Sequence, residues 1–177
     1  MSHTVPLILR ALEPNDLDFV YSCENDACIQ AEGSQLAPLS RHALRQLIDT
    51  AFLPITETGQ LRLILAIEST GEPIGIADLY DISLVHRHAS VGLAIHPATQ
   101  RGRGHGHTAI ALIEHYAYCR LNLCQLYTEI RASNLASQKL FADCGYLSVG
   151  TKRAWFRTEA DIWEDVHCLQ HTLTRTA

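Results

Sequence analysis

The chain contains no uninterrupted apolar run of the roughly eighteen residues that a membrane-spanning helix needs. The apolar stretch at 5–9 is too short for the core of an export signal, and no basic segment precedes it. A cytoplasmic protein with no membrane partner is the expectation. No basic excess is present either, since the formal net charge is -5 and the sequence pI is about 6.0. A broad electropositive surface for nucleic acid is thereby excluded. None of the six cysteines stands in a CxxC pair. They read as small buried hydrophobes in a reducing compartment rather than as a disulfide framework. Internal repeats, low-complexity tracts and linkers rich in Pro, Gly or Ser are also missing, which leaves 1–177 as one domain. What remains, with 47% hydrophobic and 19% charged residues, is the composition of a soluble globular protein.

Patterning along the chain predicts alternating element types. A short strand at 7–10 is followed by a helix at about 15–28, opened by Pro14 with Glu13, Asp16 and Asp18 at its positive end. Residues 30–39 read as a loop. Ser40 is an N-cap for a second helix at 41–51, with Leu44, Leu47 and Ile48 on one face. Strands follow at 61–67, 73–82 and 90–96, the first two joined by a turn at 69–71. A glycine-rich stretch opens a helix at 108–121, then come a strand at 125–131, a helix at 135–144 stopped by Gly145, and closing strands at 147–151 and 163–173. Three consecutive strands predict an antiparallel meander, and the later strand–helix–strand unit predicts a parallel crossover. The fold class is α/β: a mixed sheet with helices on both faces.

The chemistry concentrates at 101–106, where Gly102, Gly104 and Gly106 alternate with Arg101, Arg103 and His105. Glycine lets the backbone turn and approach a ligand closely. A helix N-terminus adds unpaired N–H groups and partial positive charge, so the guest is a phosphate or pyrophosphate. A Walker loop is out, because no GK[ST] closes the stretch. A dinucleotide fold has G-x-G-x-x-G rather than G-x-G-x-G, although Glu129 lies about twenty residues on, where a ribose-binding acid belongs. A helix-opening turn with no ligand is the plain structural alternative.

Two segments carry a family resemblance. Arg101, Gly104 and Gly106 match an R-x-x-G-x-G loop. Asn134, Ser137, Phe141, Gly145 and Tyr146 match an N-x-x-(A/S)-x-x-x-(Y/F)-x-x-x-G-(F/Y) helix. Both resemble the GNAT N-acetyltransferase superfamily, in the branch of spermidine and ribosomal-protein N-terminal acetyltransferases, and 85–89 resembles an HRRA segment of that branch. The resemblance implies a twisted mixed sheet of six to seven strands, splayed at its central parallel pair. It implies acetyl-CoA as co-substrate and a small-molecule or peptide amine as acceptor: a polyamine, another small amine or a protein N-terminus. Leu93, Ala94 and Ile95 would receive the pantetheine arm along the backbone, with an N–H near Leu93 polarising the thioester carbonyl. The backbone of Arg101, Gly102, Arg103, Gly104, His105 and Gly106 would cradle the pyrophosphate. Asn134 would bond the cofactor near its pantetheine end, with Ser137 and Phe141 beside it. A homodimer through the C-terminal strands is common among such proteins.

An amine of pKa about 10 is mostly protonated at neutral pH, so a group must bind or deprotonate it. Asp78 and Asp81 are the candidates, with a solvated strand-end carboxylate as the plain reading of each, and His86 and Glu129 behind them. The resemblance departs at Phe141, where the branch carries a tyrosine that protonates the leaving thiolate; Tyr146 and Cys144 are the nearest groups in sequence. A catalytically weak acyl-CoA-binding module and a nucleotide-binding regulatory protein are the competing functions. His86 with His88 and His105 with His107 are the tight histidine pairs; no cysteine pair joins them, and no metal is expected.

Overall fold

LRLILAI is apolar at every position but Arg62, on both sets of alternating side chains. In a strand, successive side chains point to opposite faces, and here both faces are covered. The structure, a computed structural model, describes residues 5–32, 37–158 and 160–174. In it β1 (Leu7–Ala11), β2 (Leu61–Ile67), β3 (Pro73–Ser83) and β4 (His88–Ile95) form an antiparallel meander. Ile64, Ala66 and Ile76 pack on Val20 and Cys23 of α1 (Leu17–Glu24) and on Leu44 and Ile48 of α3 (Arg41–Asp49). Ala77, Leu79 and Val91 face the other way, onto Ile110, Ile113 and Ala117 of α5 (His105–Cys119). Burying a residue such as Ile110 or Leu65 stabilises the fold by about 1.5–3 kcal/mol before entropy is subtracted.

β5 (Gln125–Arg131) then lies parallel to β4, and α6 (Leu135–Asp143) leads to the hairpin of β6 (Leu147–Arg157) and β7 (Trp163–Thr172). The seven-stranded order is β1-β2-β3-β4-β5-β7-β6, with β4–β5 the parallel pair. This is the mixed, splayed α/β sheet that the sequence implied. Strands 61–67 and 125–131 coincide with expectation residue for residue. Among the described residues no helix is long and apolar enough to cross a membrane.

Several boundaries differ from expectation, and the larger differences have identifiable causes. The helix expected at 15–28 is a 3₁₀ turn at Pro14–Asp16, then α1, then a separate α2 (Ala27–Glu32). Asn25 leaves helical geometry because its side chain bonds the 39 segment: Nδ2 donates to Leu39 O (3.1 Å), and Oδ1 accepts from Leu39 N (2.9 Å). Asp26 restarts the helix by accepting from the N–H groups of Cys28 (2.9 Å) and Ile29 (3.1 Å). Part of the expected loop at 30–39 is therefore helix, and 33–36 lie outside the described residues. The helix expected at 108–121 begins three residues earlier, at His105, because Gly104 (φ 84°) makes the turn. β6 runs on from 151 to Arg157, paired with β7. A single turn, α4 (Ile55–Thr58), was not anticipated.

One buried ion pair anchors the start of the chain. Arg10 donates to both carboxylate oxygens of Asp16 (2.7 and 2.8 Å), and the Glu13 N–H adds a third bond (2.9 Å). Burial pushes the Asp16 pKa upward, but the Arg10 and Glu13 donors outweigh it, so the carboxyl titrates below its ordinary range. A depressed native pKa contributes stability above the unfolded value and loses it as pH falls through the native one. Asp16→Asn is therefore expected to cost about 2 kcal/mol at pH 7 by urea unfolding. The gap to wild type should narrow on acidification, and a gap independent of pH contradicts the assignment.

Candidate functional site

The β4–β5 ladder is short. It pairs His88 with Gln125, Ala89 with Leu126 and Ser90 with Tyr127, and stops there, although β4 continues to Ile95 and β5 to Arg131. The strands open into a gap. The His96 N–H bonds Ile74 O of the β3 side (3.0 Å), so the two-residue period turns Ala94 and Gly92 toward β3. Leu93 and Ile95 consequently turn their N–H and C=O groups into the gap. Ile95 O accepts from Arg101 Nε (3.0 Å), consistent with that orientation.

A groove of about 790 Å³ runs from this gap to the start of α5. Its walls bring together Leu93, Ala94 and Ile95 from β4, then Arg101, Gly102, Gly104, His105 and Gly106 from the loop, and Asn134 and Ser137 from α6. The first-turn N–H groups of α5 have no intrahelical partner and carry partial positive charge, which suits an anion. Gly106 lies close to α6: a Cβ there would meet Leu140 Cδ2 at 2.9 Å and displace that side chain, so α5 and α6 approach closely where they form the wall. His105 is buried, and its Nδ1 has no partner among the described residues. Burial and the neighbouring Arg103 charge hold its pKa below the ordinary value, so it is neutral at pH 7.

Two of the expected cofactor residues do not line this groove. Arg103 is exposed and not part of the groove wall. Phe141 is buried in the core, edge-on to Tyr146 with ring centroids 4.9 Å apart. Asn134 caps α6 by accepting from Ser137 N (3.0 Å), while its Nδ2 donates to Glu32 of α2 (2.9 Å). That contact introduces the residues that sequence reasoning missed: Cys28, Ile29 and Glu32 line the groove from α2. The Asp26 cap was the available signal for this helix. Asp26 also faces His96 (3.5 Å) and Arg101 (3.9 Å), so it ties α2 to the glycine loop.

The polar side chains lie on the opposite sheet face. Asp78 is held by Arg62 through two bonds (2.8 and 2.9 Å), and Arg62 also pairs with Glu24. Burial opposes the guanidinium charge, but the Asp78 and Glu24 carboxylates more than offset it and push the Arg62 pKa up. Asp81 is exposed at a bulge of β3 (φ 50°), within 3.4 Å of the Tyr127 hydroxyl. Glu129 pairs with Lys152. His86 lies in the β3–β4 turn, stacked on His88 (6.1 Å). A cleft of about 240 Å³ opens on this face, with Arg62, Asp78 and Tyr80 in its wall. Burial raises the Cys144 thiol pKa and, helped by Glu114 and Cys144, places the Tyr146 phenol far above its ordinary range. Neither is poised to give up a proton at pH 7. Among the described residues no three His, Cys, Asp or Glu side chains converge as metal ligands.

Because Gly104 holds a left-handed conformation at the mouth of the groove, Gly104→Glu is expected to strain the loop and put a carboxylate where an anion belongs. Calorimetry with acetyl-CoA should show binding to wild type and none to the variant. Equal affinity for both contradicts the placement of the anion at this loop.

Comparison with known proteins agrees with this architecture. Residues 6–147 match the family model of the acetyltransferase (GNAT) domain. The spermidine N(1)-acetyltransferase of Vibrio cholerae serotype O1 is 28% identical over 144 residues, covering 81% of this chain and 80% of that protein. The Escherichia coli K12 spermidine N(1)-acetyltransferase is 29% identical over 145 residues, covering 82% and 74%. Among solved structures, the Vibrio cholerae spermidine N-acetyltransferase in complex with CoA and spermine superposes with a TM-score of 0.84 at 24% identity, over 94% of this chain and 95% of that one. A dodecameric structure of the Vibrio cholerae enzyme in an intermediate state gives 0.78 at 25% identity, over 94% of each chain. With the family model matched over 6–147, on the strands and loop that build the groove, the chain belongs to the GNAT acetyltransferase family.

Proposed function

We propose that this enzyme transfers the acetyl group of acetyl-CoA to a primary amine, with a polyamine of the spermidine type as its acceptor. One observation carries the reading: beyond Ser90 the β4–β5 ladder opens beside a groove that ends at the first turn of α5, while β3, paired with the other edge of β4, carries Asp78 and Asp81. The pyrophosphate lies at the α5 N-terminus and Arg101, and the pantetheine arm extends along Leu93–Ile95 like an added strand. The thioester carbonyl then reaches the gap, where the Leu93 N–H polarises it. The amine nitrogen bonds to the carbonyl carbon, the carbon–sulfur bond breaks, and the proton lost by nitrogen ends on sulfur. Asp81, exposed beside Tyr127, is the carboxylate placed to receive an ammonium proton, directly or through water. Asp78, clamped by Arg62, contributes negative potential rather than basicity.

The names of the curated relatives support the polyamine. A second reading, a small monoamine or a protein N-terminus, is favoured by one feature: Arg62 answers Glu24 and Asp78, and Lys152 answers Glu129. Little unpaired negative charge remains for a polycation. Steady-state kinetics with spermidine, spermine, a monoamine and an N-terminal peptide separate the two. The polyamine reading predicts kcat/KM at least about tenfold higher for spermidine than for the monoamine, a tenfold ratio being about 1.4 kcal/mol. Asp81→Asn should lower kcat/KM by about 10²-fold, the small end of general-base contributions. Turnover with none of the amines overturns the function; unaltered kinetics in Asp81→Asn remove that residue from it.

A further inference from the structure

Tyr80 and Ser90 face each other across β3 and β4. Ser90 is the last residue of β4 that pairs with β5, so it stands at the apex of the gap. Its side chain is 1% exposed, and its Oγ has no hydrogen-bond partner of normal geometry among the described residues. A buried hydroxyl left in that state is costly and calls for an explanation. The group beside it is the Tyr80 phenol. Tyr80 itself is 37% exposed and lines the cleft that holds Asp78 and Arg62. Its ring also lies against Gly92, the second β4 residue past Ser90, with Cε1 3.5 Å from where a Cβ would stand. Tyr80 thus touches both the cleft and the gap.

Of the carboxylates nearby, two are held by cations, and the third is the proposed base. Asp78 is clamped by Arg62, Asp81 lies at the bulge beside Tyr127, and Glu129 is paired with Lys152. Burial holds the Tyr80 phenol pKa above its ordinary value; Ser90 opposes this, and Glu129, Asp81 and Asp78 add to it. The phenol is therefore neutral at pH 7. A neutral phenol has one proton to give and lone pairs to receive one.

We propose that Tyr80 is the residue that orients the acceptor amine: the buried Ser90 hydroxyl gives its proton to the phenol oxygen, and a remaining lone pair of that oxygen receives an N–H of the amine nitrogen at the gap. Tyr80 neither gains nor loses a proton in the step. Ser90 is a positioning residue that acts through it. The inference rests on the amine acetyltransfer proposed above and adds to it the contact that aligns the nitrogen.

Kinetics of wild type, Tyr80→Phe, Ser90→Ala and the double variant test this, with acetyl-CoA calorimetry on each as the control for folding. Tyr80→Phe keeps the ring against Gly92 and removes the hydroxyl, with its bonds to Ser90 and to the amine. It should lower kcat/KM for the amine about tenfold and leave the acetyl-CoA Kd unchanged. Ser90→Ala should lower kcat/KM about threefold, and adding it to Tyr80→Phe should cost nothing more, because its effect runs through the lost hydroxyl. Losses that multiply in the double variant overturn the proposal, as does Tyr80→Phe acting like wild type while wild type turns over amine. Should wild type acetylate no amine, the function fails first and this inference with it.

Discussion

The structure turns on a ladder that stops. Between β4 and β5 three residue pairs form, and then two strands that both continue give up their hydrogen bonds to one another. Unpaired backbone groups inside a protein are costly and are satisfied somewhere. One carbonyl here, that of Ile95, is taken by Arg101, while the Leu93 groups remain turned to the gap. The rest of the sheet makes the opening tolerable. β4 stays paired with β3 up to Ile95, and β5 stays paired with β7 over its whole length, so neither strand becomes a free edge. Gly75 maintains the tight β3–β4 approach, since a Cβ there would stand 2.6 Å from Ala94 O.

Electrostatics then divides the two sides of the gap. On the α5 side there are helix N–H groups, Arg101 and a neutral buried His105, all suited to a phosphate-bearing molecule. On the other side lie Glu24, Asp78, Asp81 and Glu129, with Arg62 and Lys152 among them. α2 bridges the halves. Asp26 faces His96 and Arg101 at one end, Glu32 holds Asn134 at the other, and Arg131 bonds Ala31 O. A short helix held at both ends covers the groove without belonging to the sheet, and its position depends on residues that also face the donor.

Much of this was legible in the residues. Strands 61–67 and 125–131 declared themselves by apolar runs or alternation between turn residues, and the glycine loop by glycine and arginine at a helix start. The break in the first helix was not legible as a break. Asn25 and Asp26 sit in a continuing helical pattern, and the interaction that ends α1 is with Leu39, fourteen residues away. The Arg62–Asp78 clamp depends on cross-strand register, which the irregularity at Leu65 and Ala66 shifts and which no local pattern reveals. Phe141 was expected beside the cofactor because its motif places it there. The chain turns at Gly145, and Tyr146 meets that ring edge-on within the core.

The most direct measurement is residue-resolved amide hydrogen exchange, with and without coenzyme A. If the open ladder receives the pantetheine arm as an added strand, the N–H groups of Leu93 and Ile95 exchange quickly in the free protein and slow on binding. That of Ala94, already turned to β3, is slow in both states. Binding of coenzyme A with no change at Leu93 and Ile95 would contradict the account, because the donor would then lie somewhere other than the gap between β4 and β5.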